Sequence, residues 1–388
     1  MKLTTYCTLF ILLFSTACKK GDKPEPVVTY PMDYWVGTKI IANLKDGEYF
    51  NMVGTPDTVF HVGQWYRLYS RKFEVMTNWT AFAYTFNTKG IELDYGTELR
   101  QIAPGKNNEI YVLPYDRYYA SKKLYRISKD YTTVSNISIN LESGLNGLAS
   151  LTGGYYALAS AKNGDVYVGL VGSKDFNGQR PGCYIARSRD KGETFKCTEI
   201  PGYAAERPSK ILVDNDGLLY VKMSNGDILY YNATAANWKL LYKGDGLYEI
   251  VRDFACAGNG NIYVTSTKGF FLIKEQGAKI ITLPMPSDMI RPGFENVWVN
   301  QKGSIYTTAD TLNVRRPGYE VSNCYYSTDT GATWKHVRAR GEGASKMKIE
   351  GFDVAGRLFA TFEDSTIVRE CCANVRYIQF AMTTKAVE

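Results

Sequence analysis

Residues 259–265 read NGNIYVT, a turn-forming Asn-Gly-Asn followed by an apolar residue, an aromatic residue and two β-branched residues. Related phrases recur with an aromatic residue at the position of Tyr263, namely Phe60, Tyr111, Tyr167, Tyr220, Tyr306 and Phe359. The intervals between these aromatic residues are about 43 to 56 residues. Turn residues before an aromatic and β-branched run are typical of the start of a strand. Each interval is therefore predicted to hold one copy of a repeated β unit.

A second predicted strand follows each phrase, and no stretch shows a helical period of useful length. The strands read WYRLYS (65–70), LYRIS (124–128), YIARS (184–188), ILYYN (228–232), FFLIK (270–274), YYS (325–327) and STIVRE (365–370). Repeats of about 40–50 residues that each form a small antiparallel sheet are typical of a β-propeller. Seven copies predict an all-β propeller with seven four-stranded antiparallel blades, with six blades as the alternative because the copy at Phe60 is weak. A strand from residues 37–53 is expected to complete the last blade and close the ring.

The bulk composition excludes several classes of function. The chain has 388 residues, 45% of them hydrophobic, and a formal net charge of +7. Lys and Arg are scattered, whereas a nucleic-acid surface needs them clustered on one face, so no nucleic-acid partner is expected. With 30 tyrosines but only two histidines, His61 and His336, the chain is poorly supplied for a histidine metal site or a Ser-His-Asp triad. We predict no metal and no cofactor.

The N-terminus carries a short apolar stretch, LTTYCTLFILLFSTAC, directly after Met1-Lys2. It has the length of a signal sequence and is too short to span a bilayer stably. Its end, Ser-Thr-Ala-Cys18, resembles the lipobox of bacterial lipoproteins. This resemblance implies a signal peptide at 1–17, a lipid on Cys18, a tether over 18–36 and a single propeller over 37–388. The lysines after Cys18, where an inner-membrane retention signal has Asp, favour the outer membrane; the alternative is an ordinary secretory signal.

The remaining cysteines show no metal-ligand spacing. Cys183 and Cys197 flank a predicted hairpin, and a disulfide between them is plausible in an exported protein.

Two eight-residue motifs, SRDKGETF (188–195) and STDTGATW (327–334), follow the third predicted strand of their blades. They resemble the Asp-box, or BNR repeat, of sialidase-like propellers. In that family the turn has a structural role on the side away from the active site. The resemblance implies the same role for Ser188, Asp190, Gly192, Thr194 and Phe195, and for Ser327, Asp329, Gly331, Thr333 and Trp334.

Three connections between second and third strands are long, and they lie on the opposite side from these motifs. They carry Arg, Tyr and Asp, which suit carboxylates and flat polar surfaces. With two residues from neighbouring connections, the ligand-binding candidates are Tyr115, Asp116, Arg117, Tyr119, Asp175, Arg180, Glu206, Arg291, Arg315, Arg316 and Tyr319. The alternatives are that these loops are tolerated surface insertions and that the recurring Arg-Pro-Gly is only turn chemistry.

Sialidases also require an arginine triad and a Tyr/Glu nucleophile pair. The Arg-Ile-Pro phrase that begins their catalytic domain has no match here, since the corresponding region reads GTKIIANL (37–44). We assign no catalytic residue and lean against an enzyme. The expected function is that of a lipid-anchored cell-envelope protein, at the outer membrane, that binds a glycan, peptide or protein partner non-covalently. The alternatives are a sialidase-like hydrolase or lyase of acidic sugars and a scaffold subunit of an outer-membrane complex.

Overall fold

The recurring aromatic phrase forms the second strand of each sheet. The computed structural model describes residues 34–42, 51–54, 59–64, 67–72, 90–92, 97–116, 123–128, 133–137, 139, 150–173, 181–232, 235–244, 250–287, 289, 294–309, 324–337, 344–352, 356, 358–370, 373–383 and 387. Within Met32–Glu388, which is one compact unit, these residues form seven four-stranded antiparallel sheets. The β-propeller and its seven blades are thus confirmed.

The first three blades take their strands in chain order, from the innermost to the outermost. They are blade 1, β2 (Asn51–Gly54), β3 (Val59–Gln64), β4 (Arg67–Lys72) and β5 (Gly90–Glu92); blade 2, β6 (Thr97–Pro104), β7 (Ile110–Asp116), β8 (Leu124–Ile127) and β9 (Val134–Ile137); and blade 3, β10 (Ser150–Ser160), β11 (Val166–Ser173), β12 (Pro181–Ser188) and β13 (Lys196–Glu199).

The next three blades follow the same order, and a short 3₁₀ turn, Glu275–Gly277, precedes β21. They are blade 4, β14 (Pro208–Val213), β15 (Leu219–Met223), β16 (Ile228–Asn232) and β17 (Asn237–Tyr242); blade 5, β18 (Val251–Cys256), β19 (Ile262–Ser266), β20 (Gly269–Lys274) and β21 (Lys279–Leu283); and blade 6, β22 (Phe294–Val299), β23 (Ile305–Ala309), β24 (Cys324–Ser327) and β25 (Lys335–Val337).

Blade 7 joins the two ends of the propeller. It contains β26 (Ala344–Phe352), β27 (Leu358–Glu370), β28 (Ala373–Thr383) and, as the outermost strand, β1 (Tyr34–Ala42). β1 pairs antiparallel with β28, from Tyr34 opposite Thr383 to Ala42 opposite Arg376. An N-terminal strand therefore closes the ring as predicted, but the later part of the predicted segment, residues 51–54, forms the innermost strand of blade 1.

The predicted position of one strand in its blade is wrong. Residues 365–370 were expected to be the third strand of the last blade, whereas they continue β27, the second strand. The pairing of β27 with β28 shifts register between Asp364 and Val368, so the chain passes through an irregularity there and does not reverse. The segment between them contains no Gly, Pro or Asn to supply a turn.

The core of the propeller lies between neighbouring blades. Each hydrophobic cluster of the described residues takes side chains from two adjacent sheets, as when Tyr111 of blade 2 packs with Tyr155 and Phe195 of blade 3. The tyrosine of the recurring phrase occupies a core position in its blade, since Tyr111, Tyr263 and Tyr306 are at most 1% exposed. A buried tyrosine removes a large apolar area from water, so each repeat contributes one such anchor to the core.

The expected disulfide between Cys183 and Cys197 is absent, and both cysteines are free. Cys197 lies opposite Ala186 in the β12–β13 ladder, three residues away from Cys183. Because side chains alternate across a strand, this odd offset places the two thiols on opposite faces of the sheet. Cys183 packs toward blade 4 and Cys197 toward blade 2. Burial raises the pKa of each thiol to about 12.

Candidate functional site

The strand order defines two ends of the propeller. Connections from the first to the second strand and from the third to the fourth lie at one end, which we call the turn face. Connections from the second to the third strand and from the fourth strand to the next blade lie at the other end, which we call the loop face. Both eight-residue motifs lie on the turn face, between β12 and β13 and between β24 and β25.

The two motifs form the same hydrogen-bonded turn. In the first, the Ser188 hydroxyl donates to Asp190 Oδ1 at 2.7 Å and accepts the Gly192 N–H at 2.7 Å. The Thr194 N–H donates to Asp190 Oδ1 at 2.9 Å, and the Thr194 hydroxyl donates to Asp190 Oδ2 at 2.5 Å. The carboxylate is thus fully engaged inside its own turn.

The second motif repeats these contacts almost to the tenth of an ångström. Ser327 Oγ donates to Asp329 Oδ1 at 2.7 Å and accepts the Gly331 N–H at 2.8 Å. Thr333 donates its N–H at 2.9 Å and its hydroxyl at 2.5 Å to Asp329. Burial alone would raise the pKa of Asp329, but the hydrogen bonds from Thr333 and Ser327 outweigh it and lower the pKa to about 2. The same balance lowers the pKa of Asp190 to about 2.

Each motif turn also packs against the outermost strand of the preceding blade. A Cβ on Gly192 would lie 2.8 Å from Ile137 Cδ1, and a Cβ on Gly331 would lie 2.8 Å from Leu283 Cδ1. Both glycines have positive φ, 88° and 89°. The backbone conformation and the close approach therefore both require glycine.

The aromatic residue that ends each motif is part of the same packing. Phe195 is fully buried between blades 2 and 3. Trp334 contacts the rings of Phe270 and Phe294, at centroid distances of 5.5 and 5.0 Å. Its indole N–H donates to the carbonyl of Pro284 at 2.7 Å. The Ser and Asp side chains and the Thr194 and Thr333 hydroxyls of the motifs are thus bonded within their own turns, and the aromatic residues join adjacent blades.

The strand order places the end of β7, and with it two of the ligand-binding candidates, on the loop face. Tyr115 and Asp116 are the last two residues of β7, directly before the first long loop; their side chains lie outside the described part of the structure. Eight other candidates lie entirely outside the described residues, namely Arg117, Tyr119, Asp175, Arg180, Arg291, Arg315, Arg316 and Tyr319. The structure corrects one detail, since Pro181-Gly182 begin strand β12 and do not form the preceding turn.

Glu206 is the one candidate whose side chain is described, and it is half-buried on the loop face between blades 3 and 4. Its carboxylate accepts a hydrogen bond from the Ser224 hydroxyl. That hydroxyl in turn accepts the Arg207 N–H at 3.1 Å, and the Ser224 N–H donates to the Arg207 carbonyl at 2.9 Å. The Arg207 guanidinium lies 5.5 Å from the ring centroid of Tyr156, on the innermost strand β10. An exposed guanidinium therefore lies near an aromatic ring, and the backbone of the same residue is linked through Ser224 to a carboxylate.

A buried carboxylate joins the connections of the loop face at blade 4. Asp227 is 0% exposed and accepts hydrogen bonds from Tyr203 Oη at 2.7 Å, Lys243 Nζ at 3.0 Å and the Gly244 N–H at 2.8 Å. These donors come from the connections before and after blade 4, so one side chain ties three connections together. Burial alone would raise the pKa of Asp227, but the bonds from Tyr203, Lys243 and Gly244 lower it below its usual value. A Cβ on Gly244 would lie 2.5 Å from the Asn225 carbonyl, so this contact also requires glycine.

A cavity of about 250 Å³ lies on the propeller axis side of blades 4, 5 and 6. Its walls are the innermost strands β14, β18 and β22, with Leu212, Phe254 and Trp298 among the lining residues. The ends of these strands and their first turns, including Asn215, Gly258 and Gln301, complete the lining, which places the cavity toward the turn face.

An ion pair lies at the inner end of this cavity. Lys210 Nζ donates to Asp253 Oδ1 at 2.6 Å and to the Phe254 carbonyl at 2.9 Å. The same ammonium lies 5.4 and 5.5 Å from the ring centroids of Phe254 and Trp298. Asp253 Oδ2 accepts the Val297 N–H at 3.1 Å, so the pair joins the innermost strands of three blades. The only sign of this ion pair in the sequence is that Lys210 and Asp253 are charged residues within strands, which does not predict that they pair.

Among the described residues, no group of three or more His, Cys, Asp or Glu side chains could hold a metal ion. Nor does that part of the chain contain a helix that is both long and apolar enough to cross a membrane. Glu206 is engaged by Ser224, and Asp253 by Lys210, so the carboxylates at these two sites are held by neighbouring donors.

No protein-family model and no curated protein sequence matches the chain. A structure of YCF48 bound to D1 peptide aligns with 90% of this chain and 96% of that chain, at 11% identity and a TM-score of 0.53. A Bacteroides caccae protein of unknown function covers 73% of this chain and 91% of its own, at 15% identity and a TM-score of 0.43. The extracellular domain of a putative hybrid two-component system from B. thetaiotaomicron covers 84% of this chain, at 12% identity and a TM-score of 0.43, and the chain spans 51% of that domain. The similarity to YCF48 supports the β-propeller fold.

Proposed function

We propose that this protein is a lipid-anchored cell-envelope β-propeller whose loop face binds a carboxylate-bearing peptide or glycan without covalent chemistry. The observation that carries the proposal is the buried Asp227 network, which holds three connections of the loop face in place, among them the one that carries the exposed Arg207. A preorganised surface loses less conformational entropy on binding than a mobile one. Arginine is the side chain best suited to a carboxylate, which it can bind through two parallel hydrogen bonds.

Binding is favoured over hydrolysis by the state of the carboxylates. A glycosidase needs an acid and a nucleophile or base on either side of the scissile bond. Glu206 instead accepts a hydrogen bond from Ser224, which also bonds the backbone of Arg207, so its contacts serve the loop structure. The peptide seen on YCF48 supports a peptide as one source of the ligand, since that protein shares the fold.

The ligand proposal is tested with the purified full chain against a glycan array and a displayed peptide library. We expect ligands that carry carboxylates, and a loss of at least about tenfold in affinity on Arg207→Ala, as for a charged hydrogen bond of about 1.5–3 kcal/mol. Lys279→Ala is the matched control, because Lys279 is an exposed cation on the outermost strand of blade 5. Selected ligands without carboxylates, or equal affinities for both variants, would contradict the proposal. Turnover of a sialoside or uronide would favour the hydrolase alternative.

The lipid anchor rests on the Ser-Thr-Ala-Cys18 sequence and is tested separately. Cells that express the protein are labelled with a fatty-acid analogue and fractionated. We expect the label and the protein in the outer-membrane fraction, and both to be lost from it on Cys18→Ser. A labelled Cys18→Ser variant, or a wild-type chain without label, would refute the anchor but leave the ligand proposal intact.

We further propose that Ser188–Phe195 and Ser327–Trp334 are Asp-box turns with a structural role. Their carboxylates are engaged by their own Ser and Thr, and both lie on the turn face, away from Arg207.

A further inference from the structure

The cavity between blades 4, 5 and 6 is a second site, separate from the loop face. Its volume of about 250 Å³ exceeds the ~150 Å³ of an engineered cavity that admits benzene. One six-membered ring with substituents therefore fits, whereas a folded domain does not. Most binding pockets combine apolar walls with a few placed polar groups, and this cavity has both.

The charges around the cavity argue against an anionic ligand. The Lys210 ammonium is offset by Asp253, at 2.6 Å. The carboxylate of Asp214 also lines the cavity and has no cationic partner among the described residues; it accepts the N–H groups of Asp216 and Leu218 and the hydroxyl of Tyr220. An added carboxylate or phosphate would meet this uncompensated negative charge at short range.

Three polar groups in the lining have hydrogen-bonding capacity left. Lys210 uses two of its three N–H donors, on Asp253 and on the Phe254 carbonyl. The carboxamides of Asn215 and Gln301 bond to no other residue of the described ranges, and they lie on two different turns at the solvent-exposed mouth of the cavity. Carboxamides both donate and accept, as hydroxyl groups require. A purely apolar ligand would displace water from these groups without replacing its hydrogen bonds, which costs free energy.

The aromatic wall supplies the remaining requirement. The Trp298 indole N–H donates to the Ile349 carbonyl at 3.2 Å, which holds the ring in place along the cavity. A pyranose presents C–H groups on its ring faces and hydroxyls around its edge, so it combines an apolar surface with donors and acceptors. We propose that this cavity binds a single neutral sugar residue, with its hydroxyls on Asn215, Gln301 and Lys210.

Calorimetric titration of the full chain tests the proposal, with glucose, galactose, mannose and N-acetylglucosamine against glucuronate and galacturonate. We expect roughly millimolar dissociation constants for at least one neutral sugar, as for a ligand of about twelve non-hydrogen atoms, and weaker binding of its uronate. The double variant Asn215→Ala/Gln301→Ala is expected to weaken binding at least about tenfold, as for the loss of two hydrogen bonds. Its matched control is Asp216→Ala/Lys302→Ala, at the next residue of each turn, which should bind as the wild type does.

Cys256 provides a readout that needs no substitution, because this partly buried residue lines the same cavity. Burial raises the pKa of this thiol, so its alkylation is slow and is followed by peptide mass spectrometry. A bound sugar should slow alkylation at Cys256 in the wild type and in the control, but not in the Asn215→Ala/Gln301→Ala variant. Three results would overturn the proposal. They are no binding of any neutral sugar at up to about 10 mM, tighter binding of a uronate than of its neutral sugar, and a double variant that binds sugar and protects Cys256 as the wild type does.

Discussion

Replacing Asp329 by Ala tests the role of the motif turns most directly. The substitution removes the acceptor of three hydrogen bonds, from Ser327 Oγ, Thr333 N and Thr333 Oγ1. Because the carboxylate is exposed, water replaces part of what is lost, and each bond counts at the low end of its range, near ~0.5 kcal/mol. The free energy of unfolding at pH 7 should therefore fall by about 1–2 kcal/mol. Asp190→Ala removes the same three contacts and should cost the same.

The effect of Asp329→Ala has a defined pH dependence. The pKa of Asp329 is about 2 in the folded chain, below the value of about 3.9 for an unperturbed Asp. A depressed folded pKa means that the stabilisation is fully present above the unfolded value and is lost as the pH falls through the folded value. The difference in unfolding free energy between wild type and Asp329→Ala should thus be constant above about pH 5 and shrink between about pH 4 and 2.

Urea unfolding, followed by circular dichroism at several pH values, measures both quantities. Asp216→Ala is the control, because Asp216 is an exposed turn carboxylate whose side chain makes no hydrogen bond within the described residues; its cost should stay within about 0.5 kcal/mol. Two results would refute the reasoning: a loss for Asp329→Ala no larger than that of the control, or a difference that grows as the pH is lowered. Either would mean that the carboxylate does not hold the turn together.

Three further predictions concern packing, the buried carboxylate and ring closure. Gly331→Ala should lower the unfolding free energy by about 1–3 kcal/mol. The loss should exceed that of Gly303→Ala, because Gly303 has a similar φ of 85° but no atom within 4 Å of the new Cβ. Equal losses in urea titrations would show that the close approach to Leu283 of blade 5 contributes nothing. Asp227→Asn should lower the unfolding free energy by about 3–5 kcal/mol, because an amide cannot accept from all the donors that surround this buried carboxylate. Lys243→Ala should lower it by under about 1 kcal/mol, because the Lys243 side chain is 70% exposed. Because the pKa of Asp227 is lowered, the difference in unfolding free energy between Asp227→Asn and the wild type should narrow below about pH 4. Deleting β1 should lower the thermal midpoint and promote aggregation, because it exposes β28 as an unpaired edge; an unchanged midpoint in calorimetry would show that β1 contributes nothing to closure.

The strand pattern was readable from the sequence because its causes are local. Asn and Gly before Ile262-Tyr263 form the turn that starts a strand, and the run that follows is buried at every position of that strand. The same phrase in every interval made the blade count predictable. The local pattern is misleading at residues 365–370, because an irregularity within one long strand separates two runs that each resemble a strand.

The sites were less readable, because their residues come from different blades. Lys210 and Asp253 are 43 positions apart and meet only because blades 4 and 5 pack side by side. Asp227 likewise collects donors from both flanking connections of blade 4. The pairing of Cys183 with Cys197 failed for a related reason, since one register places the thiols on opposite faces and no sequence pattern specifies that register.

By itself the sequence determined that this chain repeats a β unit, where most of the strands turn, and which motif follows the third strand of blades 3 and 6. These follow from side-chain alternation and from Gly, Asn and Asp chemistry within a few residues. Only the tertiary structure decided which part of the N-terminal region completes the last blade, which charged residues meet across blades, and that a cavity lined by Asn215 and Gln301 lies on the side of the motif turns. Those features depend on how neighbouring sheets pack around the ring, which residues close in sequence do not specify.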